Sequence, residues 1–285
     1  MEFAYYPGCS LHSVAAEYEQ TTRAVCQKLG VSLTEIPDWN CCGASSAHSV
    51  NHLAGIAVPA RNLALAEEQG KDVVAPCAAC YQRLVTADYE MREQPETRAR
   101  VEKLIQRPWQ GKVKVLSILD VFNQIGLEQI RKAAVKPLVG LKVACYYGCY
   151  LVKPPKIAHV DDPENPMLMD NILRTLGAET VDWPFKTECC GGSLVLTNTE
   201  VVLRLGKDIL AAAEAAGANC LVTPCPLCQP NLDMRQSQIN KHYNTSFNLP
   251  VFYLTELMAL ALGVSKSQIP LRKHFIDPQP LLVSF

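Results

Sequence analysis

At 285 residues, 48% of them hydrophobic and 19% charged, the chain carries enough apolar side chain to bury a sizeable core, which excludes wholesale disorder. Twenty-seven basic residues against 28 acidic ones leave a formal charge of −1, and a general nucleic-acid binder is expected to be more basic than this. The best apolar run, 254–264, falls short of the ~20 residues of a membrane span and contains Glu256, and Met1-Glu2-Phe3 lacks the basic start of a secretory signal. A cytoplasmic location is expected, with membrane association only through a partner.

Short β-rich runs alternate with helical patterns, the signature of an α/β fold with parallel strands. A strand over 3–6 leads to Cys9, and a helix over 13–29 follows. A second strand over 31–36 leads to Cys41-Cys42-Gly43, and a long helix over 51–69 ends at Gly70. A third strand over 73–75 is stopped by Pro76 ahead of Cys77-Ala78-Ala79-Cys80.

The order then repeats. A strand over 142–146 leads to Cys149, with a helix over 167–176 after it. A strand over 180–183 leads to Cys189-Cys190-Gly191, followed by a helix over 200–216 ended by Gly217. A strand over 220–222 precedes Pro224 and Cys225-Pro226-Leu227-Cys228. Thirty-four residues separate the vicinal pair from the CxxC in both halves. Between lone and vicinal cysteines lie 31 residues in the first half and 39 in the second, so the second half carries eight extra residues in a proline-rich stretch over 153–166. The flanks match as well, Val115–Asp120 against Val251–Glu256 among them, and the halves meet near 132–141. Two domains, 1–135 and 136–285, are expected, with every cysteine motif at the carboxyl end of a strand, where open α/β sheets form ligand crevices.

Thirteen cysteines is an odd count and lies below the ~8–10% of a disulfide scaffold, so metal ligands or redox thiols are the better reading. Two CxxC pairs suit a four-thiolate zinc site but leave most of the repeat unexplained. A strand leading to Pro-Cys-x-x-Cys and a helix resembles a dithiol redox site, which ignores the vicinal pairs. Iron–sulfur clusters account for most. An ordinary cubane takes four thiolates, whereas five per half, two of them adjacent, suit a larger or opened cluster, with Gly43 and Gly191 letting the backbone turn beside sulfide.

The lone Cys, CCG and CxxC motifs, in two copies over nearly the whole chain, resemble the CCG-domain (cysteine-rich) family, in particular its branch formed by the B-type subunits of heterodisulfide reductase. Asp38-Trp39-Asn40-Cys41-Cys42-Gly43-Ala44-Ser45-Ser46-Ala47-His48-Ser49 and Lys273-His274-Phe275-Ile276-Asp277-Pro278 are similar to segments of that branch. The resemblance implies two homologous, pseudo-two-fold related domains and two noncubane [4Fe-4S] clusters. It assigns Cys9, Cys41, Cys42, Cys77 and Cys80 to the first cluster, and Cys149, Cys189, Cys190, Cys225 and Cys228 to the second. It implies an iron–sulfur disulfide oxidoreductase subunit that cleaves a small organic disulfide between the clusters, each sulfur captured by an iron. The electrons would come from a ferredoxin-like [4Fe-4S] subunit, the C-type partner of heterodisulfide reductase, and through it from a flavin subunit or membrane cytochrome. The alternatives are an electron-transfer subunit that links a dehydrogenase to a quinone and a thiol-oxidising sulfur-metabolism homologue. No CxxCxxCxxxC run is present, so cubane clusters would belong to a partner.

Three cysteines lie outside the repeat. Cys26 and Cys220 read as small core hydrophobes, and Cys145 as core with a lesser claim on the site. His48 and His52 are four apart and would share a helix face in a capping or supporting role. His159 and His274 are candidate proton donors, and Lys153, Lys156 and Lys273 candidate partners for an anionic substrate. Tyr6, Tyr146 and Tyr147 flank the first ligands and are expected to shield the clusters. The 153–166 stretch is expected to shape the substrate cleft or a contact with another subunit.

Overall fold

A computed structural model describes residues 1–44 and 47–283. Ser45 and Ser46, in the first CCG segment, lie outside the described residues.

Two four-stranded, wholly parallel sheets repeat one topology. The first contains β1 (Glu2–Tyr5), β2 (Ser32–Glu35), β3 (Val73–Ala75) and β4 (Val115–Ser117) in the order β2-β1-β3-β4. The second contains β5 (Lys142–Cys145), β6 (Glu179–Thr180), β7 (Cys220–Thr223) and β8 (Val251–Tyr253) in the order β6-β5-β7-β8. Helices cover the faces, so the central strands read as continuous apolar runs: Val73-Val74-Ala75 and Cys220-Leu221-Val222 are wholly buried. Edge strand β2, by contrast, is half exposed.

The strand order positions the site. The chain runs from β1 outward to β2, then crosses back to β3 on the other side of β1. The switch therefore lies between β1 and β3, and again between β5 and β7, where parallel sheets open a crevice at their carboxyl ends. Cys9 follows β1 and Cys77 follows β3, on either side of that switch. Cys149 and Cys225 repeat the placement.

Several expected elements are trimmed. Helix Ala16–Lys28 starts three residues later than the pattern suggests, because residues 12–15 turn back on the Gly8–Leu11 helical turn. β6 has only two residues where four were expected, since the edge strand leaves the ladder ahead of Pro184, which has no N–H to donate. Asn51 is not the first residue of its helix but its cap. Its side chain accepts the Ala54 N–H at 3.0 Å and its backbone is extended, so the chain breaks between helices Ala47–Val50 and His52–Gln69.

The halves pack through helix Ala16–Lys28 of the first and helix Leu254–Ala261 of the second. Tyr18 stacks on Tyr253 with ring centroids 4.4 Å apart, and the Thr21 and Thr255 hydroxyls hydrogen-bond at 2.8 Å. Helices Ile118–Ile125 and Leu254–Ala261 start alike: Asp120 accepts the Ser117 N–H at 2.7 Å and Glu256 the Tyr253 N–H at 2.8 Å.

Candidate metal centre

Each first-strand cysteine sits on a turn that only glycine allows. Gly8 and Gly148 adopt φ of +70° and +68°. A Cβ on Gly8 would stand 2.8 Å from Cys80 Sγ, and one on Gly148 would stand 3.3 Å from Cys228 Sγ. The backbone before the lone cysteine thus lies against the last sulfur of the CxxC. The tyrosine ending the first strand then pins the vicinal pair. Tyr6 donates to the Asn40 carbonyl at 2.8 Å and Tyr146 to the Glu188 carbonyl at 2.6 Å, in each case the residue directly before the pair. Asn62 holds Asn40 from the far side, at 2.9 Å to both its N–H and its carbonyl, and Asn231 donates to the Cys190 carbonyl. Gly43 and Gly191 then turn the chain away at positive φ, as expected.

The sulfurs converge in both halves. Cys42 and Cys80 are 3.3 Å apart, Cys190 and Cys228 3.5 Å. Cys41 lies near enough to Cys42, Cys77 to Cys80, and Cys9 to Cys41 to act on its ionisation. In the second half Cys149 lies near enough to Cys189, Cys190 and Cys225, and Cys225 to Cys228, to act on its ionisation. The two sets also approach each other, because Cys77 and Cys225 are near enough for each to act on the other's charge.

Electrostatics favours thiolate at Cys42 in the first set and at Cys189 and Cys225 in the second. Hydrogen bonds from Cys41 and Cys80 lower Cys42 to about 3, against the cost of burial and with help from the Arg83 charge. The bond from Cys149 lowers Cys189 to about 6, and bonds from Cys228 and Cys77 lower Cys225. Their partners Cys41, Cys77, Cys80, Cys149 and Cys228 rise correspondingly. Thiolate is the form that ligates metal.

Cys77, Cys80, Cys225 and Cys228 form a buried floor with Cys42 and Cys190, while Cys9, Cys41 and Cys189 are exposed and Cys149 is half-buried. Each set therefore has a buried base and a more exposed rim. Over the second set a small cavity is lined by Gly148, Cys149, Cys189, Cys190, Leu227 and Cys228. A larger cleft on the C-terminal segment, between Leu260, Ile269, Arg272 and Leu282, contains no cysteine. Among the described residues no three His, Cys, Asp or Glu side chains are gathered around one ion. The thiols meet in pairs across a pocket, a donor set whose chemistry suits a multi-iron cluster better than one zinc.

The remaining candidates lie elsewhere. Cys26 and Cys220 are buried in the core, and burial pushes both thiols up to about 12. Cys145 is also core: burial raises its thiol, which hydrogen-bonds Asp170, while its carbonyl takes the Trp183 indole N–H at 3.1 Å. His48 and His52 do not share a helix face, because the Asn51 cap separates them, and His52 lies 3.5 Å from Glu90. His159 is exposed, and its backbone N–H bonds the Tyr81 hydroxyl. The His274 side chain is buried against Glu256 at 3.0 Å, with Asp233 at 4.0 Å. Lys273 pairs with Glu17, and Lys156 stacks on Tyr89, 5.1 Å from the ring centre.

Two groups near the site escaped the sequence reading. Arg83 follows Cys80 by one helical turn, a spacing that could have flagged it. Lys186 and Asp170 form a buried ion pair at 3.2 Å. Lys186 also reaches the Pro166 carbonyl at 3.0 Å, its own carbonyl accepts from Tyr147 and Gly148, and Asp170 accepts from the Tyr147 hydroxyl at 2.7 Å. This network joins the loops that carry Cys149 and Cys189. Tyr147 therefore braces a ligand loop as well as lining the cavity.

The CCG cysteine-rich domain matches twice, over residues 3–84 and 143–233. The chain is 35% identical over 283 residues to the 8-methylmenaquinol:fumarate reductase membrane anchor subunit of Wolinella succinogenes, covering 98% of this chain and 99% of that one. It is 30% identical over 283 residues to the B-type subunit of the ferredoxin/F420H2-dependent CoB-CoM heterodisulfide reductase of Methanosarcina acetivorans, covering 97% and 94%. A protein of Archaeoglobus profundus described as like the B-type subunit of heterodisulfide reductase is 30% identical, with 94% and 93% covered. A crystal structure of a hypothetical protein from Helicobacter pylori shares the fold at a TM-score of 0.75 and 14% identity, over 97% of this chain and 52% of that one. With two copies of the domain and homology to the B-type subunit of heterodisulfide reductase over nearly its whole length, the chain belongs to the CCG cysteine-rich domain family.

Proposed function

We propose that the protein is the iron–sulfur oxidoreductase subunit of a multi-subunit reductase, with two five-cysteine sites on units 1–135 and 136–285, and that it reduces a small organic disulfide. The observation that carries this reading is the approach of the two CxxC loops, with Cys77 and Cys225 buried and near enough to act on each other's charge, while Cys9, Cys41 and Cys189 stay open to solvent.

Cys9, Cys41, Cys42, Cys77 and Cys80 would hold one noncubane [4Fe-4S] cluster, and Cys149, Cys189, Cys190, Cys225 and Cys228 the other. Clusters held there supply electrons one at a time and iron that takes up sulfur. Cleaving a disulfide needs two electrons and two protons and yields two thiols, so two adjacent one-electron sites match its stoichiometry. The chain's own part is positional. Tyr6 and Tyr146 fix the vicinal pairs, and Gly8 and Gly148 let the first loop close on the last sulfur. The buried CxxC floor keeps water from the inner side. A ferredoxin-like [4Fe-4S] subunit of the C type would deliver the electrons, linked to a flavin subunit or membrane cytochrome. Among the described residues no helix is long and apolar enough to cross a membrane, so membrane contact would run through such a partner.

The Wolinella relative favours a second reading, electron transfer between a quinol and a partner reductase without bond cleavage. Electron paramagnetic resonance of the oxidised, anaerobically prepared protein separates the two. A new signal on adding an organic thiol supports disulfide chemistry. Clusters silent to every thiol, yet reducible by a quinol-linked partner, support transfer.

A further inference from the structure

Resting on that two-cluster reading, we propose that Tyr18 is a positioning residue: one hydroxyl clamps the two CxxC loops together and sets the spacing of the two clusters. Tyr18 lies in helix Ala16–Lys28 and is wholly buried. Its hydroxyl is 2.9 Å from the Pro224 carbonyl and 3.2 Å from the Pro76 carbonyl. These are the residues directly before Cys225 and Cys77, so the two CxxC loops lie side by side at this hydroxyl.

A hydroxyl has one proton, so it serves the two carbonyls as a shared, three-centre donor. Moving either loop away breaks half of that arrangement in a buried site closed to bulk solvent. The ring is held in turn by its stack on Tyr253. The clamp has no counterpart, because helix Leu168–Thr175 at the equivalent place in the second half contains no tyrosine. One residue of the first half therefore serves both halves. Carbonyl dipoles beside the two innermost ligands also set the local field, so the hydroxyl that holds them acts on cluster potential as well as on spacing.

The test compares Tyr18→Phe with Thr21→Val and Tyr253→Leu. Thr21→Val breaks another bond between the halves, to Thr255, away from the cysteines. Tyr253→Leu removes the stack and leaves the hydroxyl. Iron content is measured first, then the magnetic splitting between the two reduced clusters and their midpoint potentials. The proposal expects Tyr18→Phe to keep both clusters but shift or abolish the splitting and move both potentials, with Thr21→Val unchanged and Tyr253→Leu shifted less. Loss of both clusters at once in Tyr18→Phe, with both retained in Thr21→Val, likewise supports a shared clamp. An unchanged splitting in Tyr18→Phe, loss of one cluster alone, or an equal shift in Thr21→Val overturns it while leaving the two-cluster reading intact. A wild-type chain that assembles fewer than two clusters overturns both.

Discussion

Lys186 and Asp38 occupy the same place in the repeat, three residues before the vicinal pair, yet their environments differ. Asp38 pairs with Arg61 at the surface, with its side chain 75% exposed. Lys186 pairs with Asp170 in the interior, at 4% and 0% side-chain exposure. An exposed pair is worth about 0–1 kcal/mol, because water screens it and two long side chains lose freedom. Removing one partner of a buried pair costs about 3–5 kcal/mol, because the other charge is stranded. Lys186→Met should therefore destabilise the protein by about 3–5 kcal/mol in anaerobic urea unfolding, and Arg61→Met by under about 1 kcal/mol. Equal costs would show that Lys186 is not braced as described. The pair was not legible in the sequence, since a lysine ordinarily reads as solvated surface and Asp170 lies on another element. Tyr18 was hidden for the same reason: its acceptors are 58 and 206 residues away.

At the level of elements, the strands leading to the cysteines were legible because buried parallel strands leave apolar runs with proline or glycine after them, as in Val73-Val74-Ala75-Pro76. The shared helix face of His48 and His52 fails because a capping asparagine looks like any polar helix residue until its φ is known. The 153–166 stretch was legible as an insertion but not in its placement. Part of it crosses to the first half, with Lys156 on Tyr89 and the His159 N–H on the hydroxyl of Tyr81, next to Cys80. Asp161 closes its base by accepting from Met167 and Leu168 at 2.7 and 2.6 Å. The stretch therefore links the Cys149 loop to the helix that begins at the first CxxC. Shortening it by the eight residues that distinguish the halves should weaken both disulfide turnover and assembly with the ferredoxin-like partner. Turnover and assembly both equal to wild type would contradict that role.

On the scale of the whole molecule, repetition does most of the work. One topology, used twice, places a lone cysteine, a vicinal pair and a CxxC after three strands of each sheet; the repeat was readable from spacing because the 34-residue interval recurs, whereas the strand order was not. What spacing could not show is that the two sets meet, a relation between sheets rather than within one. The central claim is thus two sites, each local to its half, adjacent but separately assembled. It is tested most directly by iron, acid-labile sulfide and zinc per chain in anaerobically prepared wild type, Cys42→Ser and Cys190→Ser. The account predicts about eight irons and eight sulfides in wild type and about half of each in either variant, with the two variants losing different spectral components. Zinc without sulfide, or a single one of these cysteine substitutions that empties both halves equally, would contradict it.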